Sequence, residues 1–208
     1  MVTLDNKGVL IVMSGPSGAG KGTLCAALKE KLPMALSISA TTRQPRDGEV
    51  DGVNYFFLSK DAFEEKIKND GFIEWAEVYG NYYGTPKAYV EEMLGSGKNV
   101  MLEIDTQGAA NVKKNMPDAV LIFIMPPSYK ELESRLRGRG TEQEEQIQKR
   151  LSCAIDEINA MSCYDYVIIN DDIDKAVNDI VAIVTTQRFN VNRNLNMPSI
   201  FAAEKECD

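Results

Sequence analysis

Apolar residues fall in short runs separated by stretches with helical spacing. Val9–Met13, Asn99–Asp105, Val120–Met125 and Tyr166–Ile169 are compact apolar runs of strand length. Met34–Thr42 and Phe72–Tyr79 alternate loosely, and Val53–Leu58 reads as a further short β stretch. Between them the period changes. Thr23–Lys31 reads as a helix stopped before Pro33, and Ser59 caps one with Ala62, Phe63 and Ile67 on one side. Gly80-Asn81 signals a turn, and Pro86 opens a helix running to about Leu94. Ser128–Arg137 is helical, glycines interrupt at 138 and 140, and from Thr141 a stripe of Ile147, Leu151, Ala154, Ile155 and Ile158 resumes. Ile173, Val177, Ile180 and Val184 mark a closing helix, and the last fifteen or so residues show no sustained period, which predicts an irregular tail. Buried strands alternating with helices predict an α/β fold with a parallel sheet covered on both faces.

The first strand runs into Gly15-Pro16-Ser17-Gly18-Ala19-Gly20-Lys21-Gly22-Thr23. Strand, glycine-rich turn, lysine and helix in that order form a P-loop. Its backbone N–H groups wrap an anion, the helix N-terminus adds positive potential, and Lys21 reaches the β- and γ-phosphates. The common pattern has Ser or Thr directly after the lysine, whereas here Gly22 follows and the hydroxyl moves to Thr23. Glu103 and Asp105 lie two apart at the C-terminal end of an apolar strand, where open α/β sheets bind ligands. Asp105, through water, and Thr23 are therefore the candidate magnesium holders.

Composition narrows the classes. The 208 residues suit a single domain, and Lys plus Arg number 23 against 31 Asp plus Glu, a net charge of −8. No basic footprint for nucleic acid results. Histidine is absent, which removes imidazole bases and His-ligated metal sites. Cys25, Cys153, Cys163 and Cys207 have no C-x-x-C spacing and read as reduced thiols. No long apolar run or signal pattern is present, so the expectation is a soluble, cytoplasmic chain without membrane contact. Two arginine groups remain: Arg43 and Arg46 around a proline turn, and Arg135, Arg137, Arg139 and Arg150 around the later glycines. Beside a P-loop, each suits a phosphate clamp.

Several segments carry a resemblance. G-P-S-G-A-G-K-G at 15–22, S-x-S-x-T-T-R-x-P-R at 37–46, G-E-x-x-G-x-x-Y at 48–55, F-I-E-W at 72–75, G-N-Y-Y-G-T at 80–85, E-I-D-x-Q-G at 103–108, R-L-x-G-R-G-T at 135–141 and K-R-L at 149–151 resemble guanylate kinase, in consistent order over about 8–186. The resemblance implies a P-loop NTPase-type sheet with a small β-rich GMP-binding insertion and a helical lid. It implies phosphoryl transfer from MgATP to GMP in purine nucleotide metabolism. Arg43, Arg46, Tyr55 and Tyr83 would hold the GMP phosphate. Ser39, Glu74 and Thr85 would meet guanine, and Glu103 would lie near the base, where relatives often have Asp. Lys21, Arg43, Arg135, Arg139 and Arg150 would act in catalysis, with the last three closing from the lid. Glu74 also fits on chemistry, because guanine N1–H and its 2-amino group form a paired donor that one carboxylate accepts.

The expected division is one domain over 1–208: core about 1–36, 88–128 and 160–190, insertion about 37–87, lid about 129–159, tail about 191–208. Two alternatives stand beside the kinase reading. One is a non-catalytic guanylate-kinase-like module that binds protein partners, and the other is a nucleoside monophosphate kinase with a different base preference.

Overall fold

A computed structural model describes residues 3–78, 80–138 and 144–204. The elements in order are β1 (Leu10–Ser14), α1 (Lys21–Lys31), β2 (Met34–Leu36), β3 (Ala40–Thr41), β4 (Phe56–Phe57), α2 (Lys60–Lys68), β5 (Phe72–Val78), β6 (Asn81–Pro86), α3 (Lys87–Gly95), β7 (Asn99–Glu103), α4 (Thr106–Asn115), β8 (Val120–Met125), α5 (Tyr129–Arg137), α6 (Glu144–Asn159), β9 (Tyr166–Ile169), α7 (Ile173–Thr186) and α8 (Met197–Glu204).

β1 is apolar along its length because it has strands on both sides and helices on both faces. The main sheet has five parallel strands in the order β2-β7-β1-β8-β9. Ile11 and Met13 face Leu24 and Leu28 of α1 and Val177 and Ile180 of α7. Leu10 and Val12 point the other way, onto Val90 and Leu94 of α3 and Ala109 and Val112 of α4. One period-two strand thus feeds two cores. Its C-terminal end, where the glycine loop begins, is central in the sheet.

The insertion folds around its own sheet, ordered β4-β3-β6-β5. Ser59 caps α2 by accepting from Ala62 N at 3.2 Å, as its sequence position predicts. Phe63 of α2 stacks on Phe72 at 4.3 Å and on Tyr82 at 5.4 Å between ring centroids. α5 and α6 enclose a third small core of Leu132, Leu136, Ile147, Leu151 and Ala154.

Several local expectations change. Met34–Thr42 is two strands in two different sheets: β2 pairs with β7, while β3 pairs with β4 and β6. The segment after the Gly80 turn is a strand, β6, and residues 106–115 form α4, which the apolar pattern did not announce. Ile155 and Ile173 are exposed and Ile158 is half-buried, while the other members of their stripes are buried. Over its described residues, up to 204, the tail is not irregular. Two 3-10 turns lead to α8, and Arg193 donates to the Lys7 and Gly8 carbonyls while Asp5 N donates to Asn194 Oδ1 at 2.9 Å. Among the described residues no helix is long and apolar enough to cross a membrane, and Cys25, Cys153 and Cys163 are free thiols. Cys207 lies outside the described residues.

Candidate active site

The glycine loop needs its glycines for two reasons. Gly15, Gly18 and Gly20 have φ of 145°, 91° and 89°, a region side chains rarely adopt. A Cβ on Gly15 would also lie 2.3 Å from the Ile124 carbonyl oxygen, and one on Gly20 would lie 2.4 Å from Asn170 Nδ2. Pro16 and Ala19 are buried, so the loop is wedged between β8 and the end of β9. Asn170 Nδ2 donates to Ala19 O at 2.8 Å and fixes that wedge.

Lys21 opens α1 and folds back over the loop, donating from Nζ to Gly15 O at 2.6 Å and Pro16 O at 3.1 Å. Burial lowers its pKa, and Glu103 is the strongest of the acids that offset this. Arg150 of α6 donates from Nη1 to Ser17 Oγ at 2.8 Å, so a lid-side arginine already touches the loop. Glu157 from the same helix also faces the loop. Its carboxyl is pushed up by burial and pulled down by Lys21 and the Ser17 backbone.

From this loop a cavity of about 530 Å³ extends to the insertion. It brings together Gly15, Ser17 and Lys21 from the loop, Ser39, Tyr55, Glu74 and Tyr83 from the insertion, and Glu103, Asp105 and Glu157 between them. Glu74, on β5, is 6 % exposed and accepts from Thr85 Oγ1 of β6 at 2.7 Å. Burial drives its carboxyl up to about 7, against the pull of the Thr85 hydroxyl, and Asp105 adds repulsion. Gly108 makes room for it, since a Cβ there would stand 3.2 Å from Glu74 Oε2. Ser37 lines the cavity, and its buried Oγ has no hydrogen-bond partner among the described residues. Such a hydroxyl awaits a polar partner.

Tyr55 and Tyr83 meet edge to face at 6.0 Å, and the Arg43 guanidinium lies 5.5 Å from the Tyr55 ring centre. Arg43 is held bidentately by Glu49 at 3.0 and 2.9 Å, and Arg46 stands exposed on the same turn.

Asp105 lines the cavity, and the remaining described candidates are placed outside it. Asp105 caps α4, its Oδ1 accepting from Gly108 N at 2.7 Å. Gly22 and Thr23 are exposed on α1 and do not line the cavity. Arg135 braces the outside of the loop, donating to Asn170 O at 3.0 Å and Ala19 O at 3.5 Å, with its Nε on Glu131. Arg139 lies outside the described residues. Sequence reasoning missed Glu49, Gly108, Glu157 and Asn170. Asp105, three residues before Gly108, is a helix-cap residue type whose spacing could have marked α4. Glu157 sits on the polar side of α6, and nothing local marked it.

A central strand, an anion-wrapping loop with its lysine, and a facing cavity that buries a carboxylate define a P-loop nucleotide-binding protein of the α/β class. The chain belongs to the guanylate kinase family: the family model described as guanylate kinase matches residues 7–187. Among similar proteins, the guanylate kinase of Caldanaerobacter subterraneus subsp. tengcongensis is 55% identical over 197 residues, 94% of this chain and 96% of that protein. The guanylate kinase of Clostridium perfringens strain 13 is 57% identical over 190 residues, 91% and 88% of the two chains. The crystal structure of guanylate kinase from Anaplasma phagocytophilum superposes with a TM-score of 0.77 at 34% identity, covering 95% of each chain.

Proposed function

We infer that the chain transfers the γ-phosphoryl group of ATP to GMP, giving ADP and GDP. Family membership over most of the chain and the intact loop support an enzyme over a non-catalytic binding module. One observation carries the base assignment: Glu74 is a buried carboxylate in the cavity that also holds Lys21. It accepts N1–H and the 2-amino group of guanine together. Adenine offers no such pair and would leave the carboxylate unmatched, at a cost of several kcal/mol.

The loop residues Gly15 to Thr23 take the ATP phosphates, with Lys21 exchanging its two carbonyl partners for β- and γ-oxygens. Arg43, Arg46, Tyr55 and Tyr83 take the GMP phosphate, while Ser39, Thr85 and Glu103 accompany Glu74 around the base. The attacking group is a phosphate oxygen already anionic near neutral pH, so no general base is needed and the lack of histidine is consistent. Catalysis rests on holding the two phosphates in line and neutralising the equatorial oxygens with Lys21 and the lid arginines Arg135, Arg139 and Arg150. Closure of the insertion, about 37–87, and of the lid, about 129–159, onto the core excludes water.

Among the described residues no group of three or more carboxylate, thiol or imidazole side chains is arranged to hold a metal. Asp105, a cavity-lining carboxylate, would hold a magnesium ion whose other ligands are nucleotide phosphates and water. When bound, magnesium supplies charge neutralisation on the transferring phosphoryl group. The cytoplasm, where ATP and GMP occur, is the compartment proposed.

The test is an acceptor screen with ATP and magnesium, reading ADP formation with GMP, AMP, UMP and dTMP. Turnover with GMP alone is expected. Equal turnover with AMP would sink the role given to Glu74.

A further inference from the structure

The Arg43–Gly48 turn carries two of the arginines assigned to the acceptor phosphate, yet little anchors it. Residues 44–48 are all exposed, and no regular hydrogen-bonded element runs through them. Glu49 supplies the missing anchor. Its Oε1 accepts from Arg43 Nη2 at 2.9 Å, and its Oε2 accepts from Arg43 Nη1 at 3.0 Å and from Arg46 N at 2.7 Å. Glu49 N closes the turn by donating to Arg46 O at 3.0 Å. One carboxylate thereby ties the side chain of the first arginine to the backbone of the second.

Three further contacts fix the guanidinium plane. Arg43 Nη1 also donates to Gln44 O at 2.7 Å, and the guanidinium lies against Tyr55 at 5.5 Å and Phe57 at 5.9 Å. Gln44 and Glu49 take three of the five N–H groups and Tyr83 also hydrogen-bonds to the guanidinium, so an incoming phosphate uses what remains of the fork or replaces Tyr83. A free arginine would have to lose its rotamer freedom when substrate arrives; one already pinned does not.

We propose that Glu49 is a positioning residue that preassembles the acceptor-phosphate clamp by holding Arg43 and the Arg46 backbone in place. This rests on the reading of the cavity as the GMP site. An opposite effect competes with it, because a carboxylate beside the clamp repels a phosphate dianion. Water reaches the exposed turn residues and screens that repulsion, while the Arg43 and Glu49 side chains, 16% and 19% exposed, are partly sheltered from it. Arg43 holds the Glu49 carboxyl below the usual range, so it stays ionised wherever GMP is a dianion.

The experiment compares GMP and guanosine binding to the full chain, wild type against Glu49→Gln, with KM values for both nucleotides. Glu49→Gln keeps the shape of the side chain but loses the charge that grips Arg43. The expected result is a roughly tenfold weaker GMP affinity and higher GMP KM, with guanosine affinity and ATP KM within about twofold of wild type. Unchanged or tighter GMP binding would overturn the proposal and make Glu49 a mere competitor for Arg43. Equal weakening of GMP and guanosine would also overturn it, showing general disruption of the insertion. If wild type itself failed to prefer GMP over guanosine, the assignment of the phosphate clamp would fall with it.

Discussion

Thr85 Oγ1 lies 2.7 Å from Glu74 Oε1, and both residues are almost wholly buried. One hydroxyl is thus the neutral partner of a carboxylate that burial has pushed up to about 7. The hydrogen bond favours the ionised form, desolvation opposes it, and desolvation wins.

The first prediction follows from that balance. A carboxyl whose folded pKa lies above its unfolded value binds extra protons in the folded state, so the empty protein loses stability as pH rises from about 4.5 to 7. Glu74→Gln has no charge to bury. Its melting temperature should exceed that of wild type at pH 8 and match it near pH 4. Guanosine binding to wild type should strengthen between pH 6 and 8, as the carboxylate that accepts the base becomes ionised. In Glu74→Gln the pH dependence should vanish, and GMP affinity should fall by about 10- to 100-fold. Calorimetric titration and thermal melts across that range check both.

Gly108 makes a second prediction. Its Cβ position is 3.2 Å from Glu74 Oε2 and 3.3 Å from Asp105 Oδ1, so Gly108→Ala crowds both carboxylates. The substitution is mild for the helix itself. GMP KM should rise by roughly threefold to tenfold, through about 1 kcal/mol of overpacking, with ATP KM little changed. Steady-state kinetics varying each nucleotide in turn would show the split, and an unchanged GMP KM would contradict it.

Lys21→Met keeps the length of the side chain and removes the charge. With both nucleotides saturating, kcat should fall on the order of 100-fold or more, as when a preorganised charge is withdrawn from a transition state. A variant that turns over at the wild-type rate would refute the mechanism.

Gly20→Ala tests the loop's wedge. Positive φ and a Cβ 2.4 Å from Asn170 Nδ2 act together, so the substitution should cost about 1–3 kcal/mol of stability. ATP KM should rise as Ala19 of the loop shifts off Asn170, while guanosine binding, remote from the loop, stays near wild type.

What the sequence disclosed depended on how local each determinant was. β1, its loop and Lys21 are contiguous, and β8 is a pure apolar run, so their placement was legible. β6 was not, because Gly84 interrupts its pattern: the glycine is there to let Phe63 and Phe72 approach within 3.0 Å of its Cβ position. α4 was hidden by small residues, with only Asp105 as a readable cap. β3 is two residues long and takes its identity from its partners. In the site, Glu74 sits in a strand where an acid ordinarily reads as exposed, and only the full set of motifs singled it out. Asn170 lies 151 positions from its partner Ala19. Glu157 reaches the loop from the polar flank of α6, and a period of 3.6 does not reveal which polar residue a distant loop will meet.

The register of β1 has a consequence for folding. Leu10 pairs with Val100 and Ile11 with Val120, so neither neighbour of the loop-bearing strand comes from the residues beside it. A strand whose partners lie about a hundred residues away closes late, since chain entropy must be overcome before the contacts form. During synthesis, the apolar residues of β1 wait without their sheet until β7 and β8 have emerged. The phosphate loop is thus made well before the two strands that frame it.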